Sequence, residues 1–348
     1  MIHPPLVSIA LPVRNAGPWL GECLDSILAQ SEPRFELVAV DDGSSDSSRA
    51  MLDGLAASDA RVRVLETRES ARGIAEALNV ALAAASAPYL VRMDADDRMH
   101  PERLAKQIAA LEADPALFGV ASRAAAFSAD PIQDGMRAYV DWQNALLTPE
   151  ELARDRFIES PVLHPSVALR TDVVRETLGG WRSTAWPEDW EFFLRAFEAG
   201  LRIARLPEVL VEWRLHSLQA TRTHSQYSED ALLELRAAYL ARFLQRAATS
   251  DRSLWMLGAG PVGKALVKAL SRHGVVANGL ADVDARKIGG IVRGAGHRWR
   301  VADYRDLEAM TPRPFAVSAV AGPVARERIR AVLAGWGWAE GDDFVVAA

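Results

Sequence analysis

Cysteine is nearly absent from this 348-residue chain: Cys23 stands alone, so no disulfide can form within it. A reducing compartment is the natural expectation. Cys23 lies in a helical apolar stripe with Trp19, Leu20, Leu24, Ile27 and Leu28, which reads as a small buried hydrophobe. Long hydrophobic runs are missing too. No stretch of about 18 apolar residues is available to span a bilayer. The start, Met1-Ile2-His3-Pro4-Pro5, lacks the basic stretch and apolar run of a signal peptide. The expected location is therefore cytoplasmic, with peripheral contact at the inner face of a membrane left open. Basic excess is absent as well. Lys and Arg number 40 against 46 Asp and Glu, for a net charge of −6. That balance argues against a nucleic-acid partner, which calls for a basic footprint. A local site can still present cations or hold a metal. No internal repeat and no low-complexity tract occurs.

What is present is ordinary globular composition, 49% hydrophobic and 25% charged. At about 150 residues per domain, the length suggests two domains, with room for a third. The first 130 or so residues alternate strand-like and helix-like segments. Strands are expected at 7–11, 35–40, 61–65 and 89–93, and helices at 18–30, 45–55, 73–85 and 101–112. Such an order implies a mostly parallel sheet covered by helices. Ligands in sheets of this kind bind outside the carboxyl ends of the strands. Two acidic clusters, Asp41-Asp42 and Asp94-Ala95-Asp96-Asp97, lie at such ends. Farther on the order is less regular, with strands expected at 118–121, 166–169 and 209–213 and helices at 149–156 and 187–199. Residues 228–248 read as one long amphipathic connector helix.

Carboxylates as close as those of Asp94, Asp96 and Asp97 repel one another, and a divalent cation relieves the repulsion. Hard oxygen ligands suit Mg²⁺ or Mn²⁺, which keep positions for water and substrate phosphate. A metal-bridged diphosphate leaves more readily. The alternative is a solvated acidic turn. Asp42 could accept a hydrogen bond from a nucleotide base; with Gly43 and Ser44 it could equally build a turn. Pro187-Glu188-Asp189-Trp190-Glu191 carries the third cluster. Proline followed by acids is what a helix start prefers in any case. A helix N-terminus lowers a carboxyl pKa and weakens it as a base, so burial or neighbouring carboxylates must offset that effect.

A second domain is expected from about residue 251. Gly258-x-Gly260-x-x-Gly263 follows a strand at 253–257 and opens a helix at 264–272. Asp282 closes the next strand, 19 residues past Gly263. This is the setting of a dinucleotide fingerprint, in which phosphate meets a helix N-terminus and the acid meets a ribose. Gly258, Gly260, Gly263 and Asp282 are thus candidates for a second nucleotide site. The other reading is a docking or regulatory domain that keeps the fold alone.

The runs Val7-Ser8-Ile9-Ala10-Leu11-Pro12-Val13-Arg14-Asn15, Val40-Asp41-Asp42-Gly43-Ser44-Ser45-Asp46 and Arg92-Met93-Asp94-Ala95-Asp96-Asp97 together resemble glycosyltransferase family 2. His164-Pro165-Ser166-Val167, Gly179-Gly180-Trp181, Pro187-Glu188-Asp189-Trp190-Glu191 and Trp213-Arg214-Leu215-His216 continue the resemblance in the same order. Each motif is weak alone, but the ordered set is specific. It covers about residues 1–225 and implies an α/β fold of the GT-A kind. Residues 226–250 would then be a helical linker and 251–348 a small Rossmann-like α/β domain.

The resemblance implies a metal-dependent, inverting transfer of a sugar from a nucleotide-diphosphate donor, with a UDP-sugar expected. The acceptor would be a hydroxyl of a saccharide or glycolipid, in cell-surface polysaccharide synthesis. It implies that Asp42 contacts the base beside Pro12 and that Asp94 lies near the ribose or metal. Asp96 would be the most direct metal ligand. Asp189 would be the general base, with Glu188 its weaker alternative. His216 would reach the diphosphate or metal, or else be structural; His164 reads as structural. One departure stands out. Many relatives carry Asn-x-Gly before the Ala-Leu-Asn segment, whereas here Arg68-Glu69-Ser70-Ala71-Arg72-Gly73 precedes Ala77-Leu78-Asn79. Arg68 or Arg72 could serve the diphosphate instead. Two alternatives stand beside transfer: a non-catalytic sugar-nucleotide sensor, and an NAD-dependent oxidoreductase working through the C-terminal half.

Overall fold

The computed structural model describes residues 4–68, 73–246 and 252–348. The chain divides into two compact units. One runs to Leu152 and includes Pro161–Thr223; the other holds Ala153–Ser160 with His224–Ala348. Among the described residues no helix is long and apolar enough to cross a membrane.

The first unit is built on eight strands: β1 (Val7–Val13), β2 (Phe35–Asp41), β3 (Val62–Glu66), β4 (Tyr89–Arg92), β5 (Arg98–Met99), β6 (Leu117–Phe127), β7 (Val167–Arg170) and β8 (Arg202–Arg214). Their order is β3-β2-β1-β4-β7-β6-β8-β5. The first four are parallel, β7 is antiparallel to both β4 and β6, and β5 is antiparallel to β8. The sheet is thus mixed and mostly parallel, with helices on both faces.

Alternate residues of β1 explain the layering, because successive side chains of a strand face opposite ways. Val7, Ile9, Leu11 and Val13 enter one core with Leu20, Cys23, Leu24 and Ile27 of the helix Gly17–Leu28. Ala10 enters the other with Val38, Val40, the helix Ile74–Ala84 and Phe192 and Phe193 of the helix Glu188–Glu198. Each fully buried large apolar side chain contributes about 1.5–3 kcal/mol. Cys23 is fully buried, and its thiol donates to the Asp94 carbonyl at 3.2 Å.

Some elements outrun the sequence reading. The strand expected at 209–213 is the end of the 13-residue β8. A helix at Asp134–Ala145 has no counterpart in that reading; its apolar stripe is short, Met136, Tyr139 and Val140, and of the helix only Val140 and Gln143 are buried.

The second unit has β9 (Leu254–Leu257), β10 (Gly279–Asp282), β11 (Ile291–Gly294), β12 (His297–Asp303), β13 (Phe315–Ser318) and β14 (Phe344–Val346), in the order β11-β12-β10-β9-β13-β14. All are parallel except β11, which is antiparallel to β12. The sheet winds outward in both directions from β9, the doubly wound pattern. The helix Glu229–Arg246, read from sequence as a connector, lies within this unit and buries Leu235, Ala238, Tyr239 and Leu244.

Candidate active site

The carboxyl ends of β1 and β2 are stitched together by short polar side chains. Asn15, in a left-handed conformation, accepts through Oδ1 from the Ser45 amide at 2.8 Å, and its own amide donates to Ser44 Oγ at 3.0 Å. The amides of Ala16 and Gly17 donate to Ser48 Oγ and Asp46 Oδ2, each at 2.9 Å. The motif residues around Asn15 and Asp46 therefore build one loop frame.

Asp42 sits at its edge, 3% exposed. Its carboxylate accepts from Thr67 Oγ1 at 2.7 Å and from the Gly73 amide at 3.0 Å, and Arg14 lies 3.4 Å away. Asp41 accepts from the Ser44 amide at 3.2 Å, which is the turn role. Pro12 is half-buried in β1, in register with Val40 next to Asp41. Arg72 lies outside the described residues.

The β4 end brings the second cluster together. Asp94, Asp96 and Asp97 each offer a carboxylate oxygen, all within 4.8 Å of one another. Asp97 is fully buried; Oδ1 accepts from the Arg214 amide at 2.7 Å, while Oδ2 has no hydrogen-bond partner. Burial, reinforced by Asp96 and Asp94, pushes the Asp97 carboxyl well up. Burial likewise raises Asp94 to about 6 against the pull of Arg92, with Asp96 adding to the rise. Hard oxygen donors, mutual repulsion and an unpaired buried oxygen fit a divalent cation. Sequence reading gave Asp97 no role of its own.

His216 meets the cluster through Nε2, 2.8 Å from Asp96 Oδ2, and its ring stacks on Trp19 with centroids 3.8 Å apart. The Leu218 amide donates to Nδ1 at 3.2 Å. In the neutral ring that pattern puts the hydrogen on Nε2, so His216 donates to Asp96. Arg214 joins the same corner, donating from Nε to the Asp96 carbonyl at 2.8 Å.

Glu188 and Asp189 open the helix Glu188–Glu198. The Trp190 amide donates to Asp189 Oδ1 at 2.7 Å, the helix-start effect expected to lower the pKa. Burial, then the Glu188 charge, outweigh it and raise Asp189 to about 6. Beneath lies His164, whose Nε2 accepts from Trp181 Nε1 at 3.0 Å, so the ring hydrogen sits on Nδ1, 3.8 Å from Glu188 Oε1. Burial, then the Arg92 charge, hold His164 far below its ordinary pKa, as a neutral ring.

Two motifs distant in sequence turn out to be partners. Asn79 donates through Nδ2 to the Trp181 carbonyl and accepts from the Trp181 amide, both at 2.8 Å. A Cβ on Gly180 would come within 2.3 Å of Asn79 Oδ1, so glycine is required there. Nothing in the sequence signalled this meeting.

In the second unit the fingerprint glycines divide. A Cβ on Gly263 would lie 1.9 Å from the Gly258 carbonyl, and one on Gly258, at φ +100°, 3.2 Å from the Ala319 carbonyl. Both serve packing. Gly260 has φ −79° and open space where a Cβ would stand. Asp282 accepts from the Ala259 amide at 2.7 Å, the Asp284 amide at 2.9 Å and Lys287 Nζ at 3.0 Å, so its carboxylate closes the glycine loop.

This layout has known counterparts. A family model described as glycosyl transferase family 2 matches residues 8–178. EpsE of Bacillus subtilis (strain 168), described provisionally as a glycosyltransferase, is 32% identical over 231 residues, which cover 65% of this chain and 79% of EpsE. The chain belongs to glycosyl transferase family 2. An uncharacterized glycosyltransferase of Haemophilus influenzae is 24% identical over 246 residues, covering 70% of this chain and 75% of that one. Among solved structures, residues 1–349 of S. aureus TarS in complex with UDP-GlcNAc align with a TM-score of 0.56 at 19% identity, covering 78% of this family 2 chain and 73% of that one. That likeness is one of fold.

Proposed function

We propose that the first unit transfers a sugar, with inversion, from a nucleotide-diphosphate donor to a hydroxyl of a saccharide or glycolipid acceptor. The observation that carries this reading is electrostatic. A crowded carboxylate cluster at Asp94, Asp96 and Asp97 and a carboxyl at Asp189 raised to about 6 are both coupled to the buried Arg92. A pKa near 6 leaves Asp189 ionised at neutral pH yet basic enough to accept a proton.

In this reading Asp189 takes the acceptor hydroxyl proton as the oxygen attacks the anomeric carbon. The carbon–oxygen bond to the diphosphate breaks, and the nucleoside diphosphate departs with the bonding pair. Asp94 and Asp96 would hold Mn²⁺ or Mg²⁺, whose charge eases departure of the diphosphate. His216 orients the Asp96 carboxylate. Asp42 and Pro12 face the base, and the UDP-GlcNAc complex of TarS supports a UDP-sugar as the first donor to try. Glu188 is the alternative base. Cell-surface polysaccharide synthesis is the setting the family resemblance implies.

The test is a panel of nucleotide sugars, each with and without Mn²⁺, read by thermal shift and slow donor hydrolysis. One donor should shift the melt only with metal present, and D96A should abolish the shift. A donor shift equal with and without metal, unaltered in D96A, would sink the metal-site reading.

Gly260 favours a second reading for the other unit. It alone of the three fingerprint glycines answers no packing demand, which leaves room for a phosphate to approach the loop. A thermal shift with NAD or a nucleotide that G260A removes would support that site. No shift with any of them would leave the unit a docking or regulatory fold.

A further inference from the structure

We propose that the outer face of the hairpin β11–β12 binds an anionic lipid bilayer, with Arg293, Arg298 and Arg300 on the headgroup phosphates and Ile291 set among them.

The chain carries a net charge of −6, yet residues 285–302 hold Arg286, Lys287, Arg293, Arg298 and Arg300 with no Asp or Glu. Two of these cations already have partners: Arg286 pairs with Asp284 at 2.9 Å and Lys287 with Asp282 at 3.0 Å. The other three are exposed, and among the described residues their guanidinium groups have no ion pair and no hydrogen bond.

The strand register puts them together. Arg293 stands directly opposite Arg298, and Ile291 opposite Arg300. Opposite side chains begin about 5 Å apart, so like charges there weaken the pairing of the strands. Successive side chains alternate, and Val292 and Trp299 point the other way and are buried. Gly294 shares that inner face, where a Cβ would stand 2.6 Å from Cε of Lys268 on the helix Pro261–Arg272. The turn is tight, since Ala295 and Gly296 both have positive φ, +47° and +78°, as in a two-residue I′ connection. The ribbon is thus held from behind, and its three arginines share one outward face.

Edge protection does not account for them. A charge on an edge strand deters pairing with another sheet, and Arg293 on β11 meets that need. Arg298 and Arg300 lie on β12, one strand in. Ile291, 51% exposed, adds an aliphatic side chain to the same face. A headgroup layer answers both features, offering phosphate to the cations and the acyl boundary to the isoleucine. A nucleic-acid duplex would use the cations but not the isoleucine, and this acidic chain lacks the wider basic footprint.

The test is co-sedimentation of the full chain with vesicles of phosphatidylcholine, alone and with one-third phosphatidylglycerol, at low and high salt. Each cation near an anionic surface strengthens binding about fivefold, so the three together should favour the anionic vesicles about a hundredfold. High salt should erase that preference. R298Q should lose about fivefold. The triple variant R293Q/R298Q/R300Q should lose the whole preference, with donor hydrolysis in solution unchanged. Equal binding of wild type to both vesicles would overturn the proposal. So would a triple variant that keeps the preference, since the lipid would then meet another surface. Duplex DNA bound more tightly than the anionic vesicles, through the same arginines, would overturn it in favour of a nucleic acid. If the triple variant does not fold, the single variants R293Q, R298Q and R300Q decide: a preference unmoved in all of them would overturn it.

Discussion

The two units place acids at the carboxyl ends of parallel strands in much the same way, yet treat them oppositely. In the second, Asp282 is buried, which by itself would raise its pKa. Hydrogen bonds from the Asp284 and Ala259 amides and from Lys287 outweigh burial and hold it below the ordinary carboxylate range. In the first, burial and like charge win, and Asp94, Asp97 and Asp189 are all raised. A carboxylate satisfied by its own loop is part of the scaffold. On the proposed reading, carboxylates crowded together with an unpaired oxygen are held for a cation and the donor it accompanies. Similar strand–loop–helix chemistry thus yields a fastener in one unit and, in the proposed function, a site in the other.

The largest effect that would test this contrast belongs to D96A. It should abolish metal-dependent donor stabilisation, worth about 2.7 kcal/mol at a hundredfold excess over Kd, and turnover with it. Thermal melts with UDP-sugar and Mn²⁺ read the first, and donor hydrolysis the second. A full shift in D96A would mean that the cluster is not where donor and metal meet.

Next comes pH. Asp189 must be ionised to act, so kcat should fall about tenfold per unit below its pKa of about 6 and level off above it. A flat profile from pH 5 to 8 would contradict the assignment.

Stability supplies a smaller effect of definite sign. The folded-state pKa of Asp189 is raised from 3.8 to about 6, so the native protein binds that proton more tightly than the unfolded chain. The stability this confers is present below about pH 4 and lost as pH rises through 6. D189N should therefore stabilise the protein at pH 7, on the order of 1–2 kcal/mol, and gain nothing at pH 4. Urea melts at the two pH values check this.

The smallest effect is that of D282N, which loosens the glycine loop. It should lower the stability of the second unit by about 1 kcal/mol in a denaturant melt and leave donor hydrolysis unchanged. Altered hydrolysis would mean that the loop does more than fasten.

Much of the first unit was legible because β1, β2 and β4 are short, largely apolar runs and β2 and β4 lead into acids, a pattern few other arrangements explain. The candidate acids could be read for the same reason. What stayed hidden has physical causes. The first half of β8 is broken by Arg202, Arg205 and Pro207, so only its apolar end stood out. β5 spans two residues and β14 three, too short for any period to register. Arg92 looked like one more arginine, since its burial among acids from two separate segments is a property of the assembled sheet. The pairing of Asn79 with Trp181 joins residues 102 positions apart, a separation no local pattern can bridge.

The central claim is that Asp189 supplies chemistry at a site whose donor side is built by Asp94 and Asp96. The most direct test is donor turnover by D189N under conditions where its metal-dependent thermal shift shows donor bound. D189N should bind donor within a few-fold of wild type and turn it over about 10²–10⁴ more slowly. D189N that binds donor and turns it over at the wild-type rate would contradict it.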